Sequence, residues 1–374
     1  MPQQEPIRVA QIMGRMMGGG VEATILNHYK FIDHSKVQFD FIVQDDSEKV
    51  PEELIKSYGG RIFTIPSYKK LPAYEKACLN IFRKTQPDIV HSNINALSIF
   101  PLYEAKKAGV KVRIAHSHST ANPREIAKTA IKEVLRPLSK LYPTHLAACG
   151  ELSAEWLFGK RVVDQNKVQY IHNAIDLQKY SFNRKKRIDL RKSIGAGVSP
   201  IVGQIGRFSS QKNQEFSVEV FKELLKIIPN AKLVFLGIGD TMPAIKQKVT
   251  QLGIQASVFF MGSRDDAADW YSVFDVLLFP SLYEGLPLTA IEAQAAGLPI
   301  VASDQITEEA FIDNELVTVM PLKCSAHEWA QCLEATLEYA PRQSRISDGD
   351  TLRAAGYEIK DSARKLEAWY QSII

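Results

Sequence analysis

The sequence predicts an α/β protein made of two doubly wound, Rossmann-like domains, each a parallel sheet with helices on both faces. Three observations carry that prediction. Short apolar runs recur along the whole chain with helical patterns between them. The runs are continuous rather than alternating, as strands covered on both faces are. The rhythm lapses once, near the middle, where a charged stretch gives way to glycines. The length, 374 residues, suits two domains at ~100–200 residues each.

Taken in order, the first half offers strands at IRVAQIM (7–13), FDFIV (39–43), RIFTI (61–65), DIVH (88–91), VRIAH (112–116), HLAAC (145–149) and VQYI (168–171). The second offers PIVGQIG (200–206), KLVFLG (232–237), VFFMG (258–262), DVLLFP (275–280), PIVAS (299–303) and LVTVM (316–320). Parallel neighbours need long crossovers, which the intervening helical patterns supply. The stretch YSFNRKKRIDLRKSIGAGVSP (180–200) reads as a solvated interdomain linker, with RKKR as a localisation signal the alternative. After about 340 strand character is lost, and residues 356–373 read as one amphipathic helix. The expected domains are 1–183, joined by the helix at about 356–374, and 184–355.

Composition narrows the class. Apolar residues make up 45% and charged residues 24%, which excludes disorder and collagen-like repeats. No uncharged apolar stretch of ~18 residues is present, and the opening MPQQEPIRVAQIM lacks the basic and apolar order of a signal peptide. Cys78, Cys149, Cys324 and Cys332 show no C-x-x-C spacing, so neither zinc nor a disulfide framework is expected. A reducing cytoplasm is the simple expectation. The net charge of +4 is too mild to argue for nucleic acid. Its distribution is lopsided: residues 1–183 hold 25 Lys/Arg against 18 Asp/Glu, and the remainder 21 against 24.

In open parallel sheets, ligands bind outside the carboxyl ends of strands. Three loops there could carry chemistry. In GRMMGGGVEATILNHYK, Gly18, Gly19 and Gly20 sit where a helix begins, where backbone amides favour anions. The spacing is not G-x-G-x-x-G, and a tight turn without a ligand is the plain alternative. In GRFSSQKN (206–213), Arg207 and Lys212 could neutralise a diphosphate or be two solvated cations. The third segment, DVLLFPSLYEGLPLTAIEAQAAGLPIVAS (275–303), is the most informative. Glu284 falls on the loop after a strand, Pro287 in the first turn of a helix ending near Gly297, and Glu292 about two turns into it, or less where the helix begins slightly later. Two carboxylates can accept paired hydrogen bonds from vicinal hydroxyls, as a sugar nucleotide offers. The amides of Gly285, Leu286 and Leu288 would face its phosphates.

The Glu-x7-Glu spacing of Glu284 and Glu292, with GRFSSQKN upstream, resembles retaining glycosyltransferases of the GT-B fold, family 4. GGGVE, RIAHSHS (113–119), AACGELSAEWLFG (147–159) and HNAID (172–176) have counterparts in that family, and the likeness is greatest to its bacterial exopolysaccharide and capsule branch. The resemblance implies two domains facing across a cleft, with the final helix crossing back to the first domain. It implies that Glu292 binds the ribose hydroxyls and Glu284 the donor sugar. Arg207 and Lys212 would stabilise the leaving diphosphate, His116 would lie near the donor sugar, and Gly19 and Gly20 would approach the phosphates. Main-chain contacts to the base would come from Met261 and Gly262. Departures from the family pattern are Ala174 in NAID, Cys149-Gly150, and Pro287 in place of a glycine.

No acidic motif suggests a metal site. DGD (348–350) lies late in a helical region, and Asp265-Asp266 reads as a helix cap. Without a metal, the leaving diphosphate would be stabilised by Arg207, Lys212 and a helix N-terminus. Front-face attack, implied by the resemblance, requires no carboxylate nucleophile. His118 is a second candidate on the face of His116, whereas His28 and His145 read as structural. In PREIAKTAIKEVLRPLSKLY (123–142), Arg124, Lys128, Lys132, Arg136 and Lys140 recur every four residues, with Ala127, Ile131, Val134, Leu138 and Leu141 on another side. Pro137 would kink or divide this helix. It is either a core-facing helix with a solvated face or one that lies on an anionic bilayer. The expected partners are a nucleotide-sugar donor and a glycan or polyprenyl-lipid-linked acceptor, and the expected place is cytoplasmic, peripheral on the inner membrane face if that helix binds. A silent sugar-nucleotide-binding subunit or a sugar-nucleotide epimerase are the alternatives. A dehydrogenase is weaker, because GIG (237–239) is poor support for a dinucleotide site.

Overall fold

The computed structural model describes residues 5–118, 133–339, 345 and 349–374. The chain forms two compact units. The first contains the chain up to Ile175 together with Glu358–Ile374, and the second Asp176–Tyr357.

In the first unit, strands β1 (Ile7–Gly14), β2 (Val37–Gln44), β3 (Arg61–Ile65), β4 (Ile89–Ser92), β5 (Val112–Ser117), β6 (His145–Ala148) and β7 (Val168–Tyr170) form one sheet in the order β3-β2-β1-β4-β5-β6-β7. Every pairing is parallel. All eight positions of β2 are buried, which is why its sequence reads as a continuous run. Successive residues feed opposite faces: Val9, Phe39, Phe41 and Val43 join one core, Ala10, Ile12 and Ile42 the other.

The expected last helix is Ile359–Ser372. Ile359, Ala363, Leu366 and Tyr370, spaced by four, three and four, form its buried face. Ala363, Leu366 and Tyr370 complete the core around Val9, Tyr29 and Phe39. Polar contacts fix its register, with Ser362 Oγ 2.8 Å from His28 Nε2 and Glu367 2.8 Å from Lys36 Nζ. His28 also reaches the Thr24 carbonyl, and burial holds its pKa down to about 4, as suits a structural histidine. Where the chain leaves and re-enters this unit, the Ile359 amide donates to the Ile175 carbonyl.

In the second unit, β8 (Ile201–Ile205), β9 (Lys232–Leu236), β10 (Val258–Phe260), β11 (Val276–Phe279), β12 (Ile300–Ser303) and β13 (Val317–Met320) form a parallel sheet in the order β10-β9-β8-β11-β12-β13.

The stretch 180–200 is not a linker. Residues Arg184–Ser193 are helical, and the two units divide at Ile175, before it, rather than at 183. Two of its cations are buried because they have work inside. Arg187 donates to Asp275 at 2.5 Å and Arg191 at 3.1 Å, while the Ile201 amide donates to the same carboxylate at 2.7 Å. Spare guanidinium hydrogens meet the carbonyls of Ser272, Val273 and Phe274, the C-terminal end of helix Ala267–Val273. Burial alone would raise the Asp275 pKa, but the two guanidiniums hold it below the ordinary carboxylate value. Of RKKR, Arg187 is internal, while Arg184, Lys185 and Lys186 are exposed. Asp266 does precede helix Ala267–Val273, yet its carboxylate pairs with Arg264 rather than capping. Residues 119–132, which include Arg124, Lys128 and Lys132, lie outside the described residues. From Arg136 to Lys140 the chain is a 3-10 turn, as Pro137 demands of a helix it interrupts.

Replacing Asp275 by Ala leaves two buried guanidiniums without their counter-charge. Urea unfolding followed by fluorescence should register a loss of about 3–5 kcal/mol for the second unit. A loss under 1 kcal/mol would mean the carbonyls alone satisfy both arginines.

Candidate active site

In the second sheet the strand order reverses between β8 and β11, so the loops leaving these neighbours run to opposite sides and open a crevice at their carboxyl ends. Arg207 and Lys212 lie on the loop after β8, and Glu284 on the loop after β11. The two loops are laced together. The Leu282 amide donates to the Gln211 carbonyl at 2.8 Å, and Asn213 Nδ2 to the Pro280 carbonyl at 3.1 Å. Gln211 Nε2 reaches both the Tyr283 carbonyl and Glu284 Oε2. Lys212 Nζ stands 2.6 Å from Glu284 Oε1 and 5.1 Å from the centre of the Phe279 ring. The sequence assigns Lys212 and Glu284 to different parts of a ligand; the fold makes them each other's partner. Arg207 is exposed on the same loop.

The GIG segment has a different use from the dinucleotide role it fails. A Cβ on Gly237 would lie 2.0 Å from the Gly206 carbonyl oxygen, and one on Gly239 2.2 Å from that of Phe208. Only glycine lets the loop after β9 lie directly on the backbone that carries Arg207. Next along the sheet, the Gly262 carbonyl accepts from the Gly237 amide and the Met261 amide donates to the Phe235 carbonyl.

Glu292 is the fifth residue of helix Leu288–Ala295, which Pro287 precedes and which ends just before Gly297 in the left-handed region. Glu292 is therefore little more than one turn in, because the helix begins slightly later than a start that includes Pro287. Leu286 is buried, while Gly285 and Leu288 are partly exposed around the helix start. Glu292 accepts from the Tyr271 hydroxyl at 2.5 Å, and the Tyr180 hydroxyl is a second donor. Burial raises its pKa; the two hydroxyls, Lys179 and Lys212 oppose that rise. Neither tyrosine is marked in the sequence, since both arrive from outside the Glu-x7-Glu segment.

In the first sheet the order reverses between β1 and β4. The loop after β1 carries the expected glycines, but its amides are already engaged. Those of Met17, Gly18 and Gly19 donate to the Glu22 carboxylate at 2.8, 2.5 and 2.7 Å. Gly20 opens helix Gly20–Phe31, and its carbonyl takes the Thr24 hydroxyl. Glu22 sits in the helix's first turn, where a carboxylate meets free amides and a favourable dipole. This anion nest holds a side chain of the protein itself. The signal was present as the E of GGGVE.

His116, on β5, lies in a buried cluster. Its Nδ1 is 3.0 Å from His91 Nε2, and its ring centre is 3.8 Å from that of His118. His91 Nδ1 is 2.6 Å from the Tyr370 hydroxyl, and His118 Nε2 is 3.1 Å from Asn93 Oδ1. Burial, followed by the neighbouring imidazoles, holds His91 to about 3 and drives His116 far down; burial likewise holds His118 to about 3. Among the described residues, His116 Nε2 and His118 Nδ1 are buried with no hydrogen-bond partner. Among the described residues no group of three or more His, Cys, Asp or Glu could hold a metal ion, and no helix is long and apolar enough to cross a membrane.

Residues 18–179 match the profile described as Glycosyltransferase Family 4, and 199–338 that described as Glycosyl transferases group 1. EpsF of Bacillus subtilis, named as a glycosyltransferase, is 31% identical over 96% of this chain and 95% of its own. The UDP-Gal:α-D-GlcNAc-diphosphoundecaprenol α-1,3-galactosyltransferase of Escherichia coli is 24% identical over 83% of this chain and 82% of its own. Among solved structures, HepE of Anabaena in complex with UDP-glucose superposes with a TM-score of 0.79 at 16% identity, covering 98% of this chain and all of that one. This last likeness is one of fold.

The burial of Glu292 has a sign that can be measured. A carboxyl whose pKa is raised by folding stabilises the fold below its ordinary value, and that contribution is lost as pH rises through the raised value. Glu292→Gln imitates the protonated form. Thermal melts should show the variant more stable than wild type near neutral pH, with the gain vanishing in acid. A variant less stable at neutral pH would mean that the tyrosine hydrogen bonds outweigh desolvation.

Proposed function

Because the chain belongs to glycosyltransferase family 4, we propose that this glycosyltransferase moves a hexose from a UDP-linked donor to a glycan or polyprenyl-lipid-linked acceptor in cell-surface polysaccharide synthesis. The transfer retains anomeric configuration and uses no metal. The observation that carries this reading is the joining of the two loops at the β8/β11 reversal by Lys212 and Glu284. A cation and a carboxylate held 2.6 Å apart can turn to a phosphate and a sugar hydroxyl without reorganising the backbone. The E. coli relative, named for a UDP-galactose donor and a diphosphoundecaprenol acceptor, supports the donor and acceptor classes.

In this reading Glu292 accepts from the ribose hydroxyls, and the N-terminus of helix Leu288–Ala295 faces the diphosphate. Arg207 and Lys212 stabilise its charge as the bond from the anomeric carbon to the diphosphate oxygen breaks. The acceptor oxygen bonds to that carbon on the same face, and its proton passes to the departing diphosphate. His116 orients the donor sugar; its strongly lowered pKa makes it a neutral hydrogen-bonding group.

Incubation in EDTA with a panel of UDP-, GDP- and ADP-sugars should release nucleotide diphosphate from a UDP-sugar. Arg207→Ala should lower that rate roughly 10²–10³-fold. Release that appears only with added metal would overturn the metal-free site. Binding of donors without release, even with lipid-linked acceptor, would favour a silent subunit.

Association with an anionic membrane surface is part of the same proposal. Val134, Leu138 and Leu141, interleaved with the last cations of the basic repeat, are 73%, 44% and 60% exposed among the described residues. Each cation near an anionic surface contributes about 1 kcal/mol. Exchanging Arg124, Lys128, Lys132, Arg136 and Lys140 for Gln should therefore cut sedimentation with phosphatidylserine vesicles at least about tenfold. Unchanged sedimentation would sink the idea.

A further inference from the structure

Three buried histidines of the first unit, His91, His116 and His118, belong to one hydrogen-bonded network whose direction can be read from a fixed end. Asn93 Nδ2 lies 2.9 Å from Gln11 Oε1 and 3.4 Å from the His91 main-chain oxygen, which can only accept. The reverse amide would set two oxygens face to face, so Asn93 donates through Nδ2. Gln11 accepts with Oε1 and therefore donates through Nε2 to the Tyr370 oxygen at 3.2 Å. Having accepted, Tyr370 gives its own hydrogen to His91 Nδ1 at 2.6 Å. His91 then carries its hydrogen on Nε2 and donates to His116 Nδ1 at 3.0 Å.

We infer that Tyr370 is a positioning residue that, through His91, fixes His116 as the Nε2–H tautomer, a hydrogen-bond donor to an oxygen of the donor sugar. The tautomer follows from the contacts alone; its sugar partner rests on the role given to His116 above. Among the described residues His116 Nε2 is buried without a hydrogen-bond partner. An orphan of this kind is destabilising unless a ligand satisfies it. The other branch ends oppositely. His118 donates through Nε2 to Asn93 Oδ1, leaving Nδ1 as a buried acceptor. Because burial keeps these rings neutral, tautomer rather than charge decides what each offers. An Nε2–H imidazole cannot take the acceptor's proton through that nitrogen, so the pair assigns proton removal elsewhere.

The full chain labelled with ¹⁵N-histidine reports this directly in two-bond ¹H–¹⁵N correlation spectra, the His116 signals being those lost in His116→Gln. Wild type should show a pyrrole-type Nε2 and a pyridine-type Nδ1 at His116. In Tyr370→Phe that pattern should shift toward a mixture of tautomers. In Gln11→Glu, whose carboxylate accepts from Tyr370, it should invert. A pyrrole-type Nδ1 in wild type, or a pattern unmoved in both variants, would overturn the inference. Should Tyr370→Phe fail to fold, Gln11→Glu and the wild-type spectrum still decide. Nucleotide diphosphate release measured alongside separates the two readings. The expected tautomer in a protein that turns over no donor would stand while the sugar partner falls, and the wrong tautomer in an active enzyme would do the reverse.

Discussion

Parallel pairing is the constraint on which the rest depends. A parallel strand can be followed by its neighbour only after a long crossover, so all strand-to-helix loops of a sheet emerge at one edge. With both sheets wholly parallel, chemistry-bearing residues far apart in sequence become neighbours without any dedicated scaffold. Residues 206–213 and 280–287 meet because β8 and β11 are adjacent. His91 and His116 meet because β4 and β5 are. The reversal of strand order then parts the crossing helices and opens a crevice there.

Charge inside this fold is managed by pairing or by neutrality. Asp275, one of the most buried acids, is satisfied by two guanidiniums and an amide. Glu22 is satisfied by three amides in a loop that invites an anion. The histidines follow the other route and stay uncharged. Glu292 does neither fully, taking hydroxyl donors while burial still opposes its charge. Such incomplete compensation is usual where a side chain awaits a partner that the protein does not supply.

The strands were legible because each is buried on both faces and so reads as an unbroken apolar run. All thirteen expected runs contain a strand. The loops with Arg207, Lys212 and Glu284 were legible because glycine, proline and charge punctuate the strand ends. Three things were hidden. Arg187 and Arg191 look solvated in sequence, since nothing local shows that Asp275, more than eighty residues on, needs them. Glu22 was visible, but spacing does not say that its carboxylate folds back onto the glycine amides. Tyr271 and Tyr370 act through hydroxyls on otherwise ordinary aromatic core positions, where periodicity reports only burial, and the partly buried Tyr180 is equally unmarked.

The return of the last helix inverts the order in which the protein can be completed during synthesis. Domains generally fold as units as they emerge, the N-terminal one first. Here the second unit is continuous, from Asp176 to Tyr357, whereas the first lacks Ala363, Leu366 and Tyr370 until the whole second unit has been made. The earlier-made sheet must therefore wait, with the apolar face around Tyr29 and Phe39 uncovered, while the later-made one can close. A chain released before Ala363 carries an intact second unit beside an unfinished first, and a chaperone acting on it would find its apolar target in the half made first.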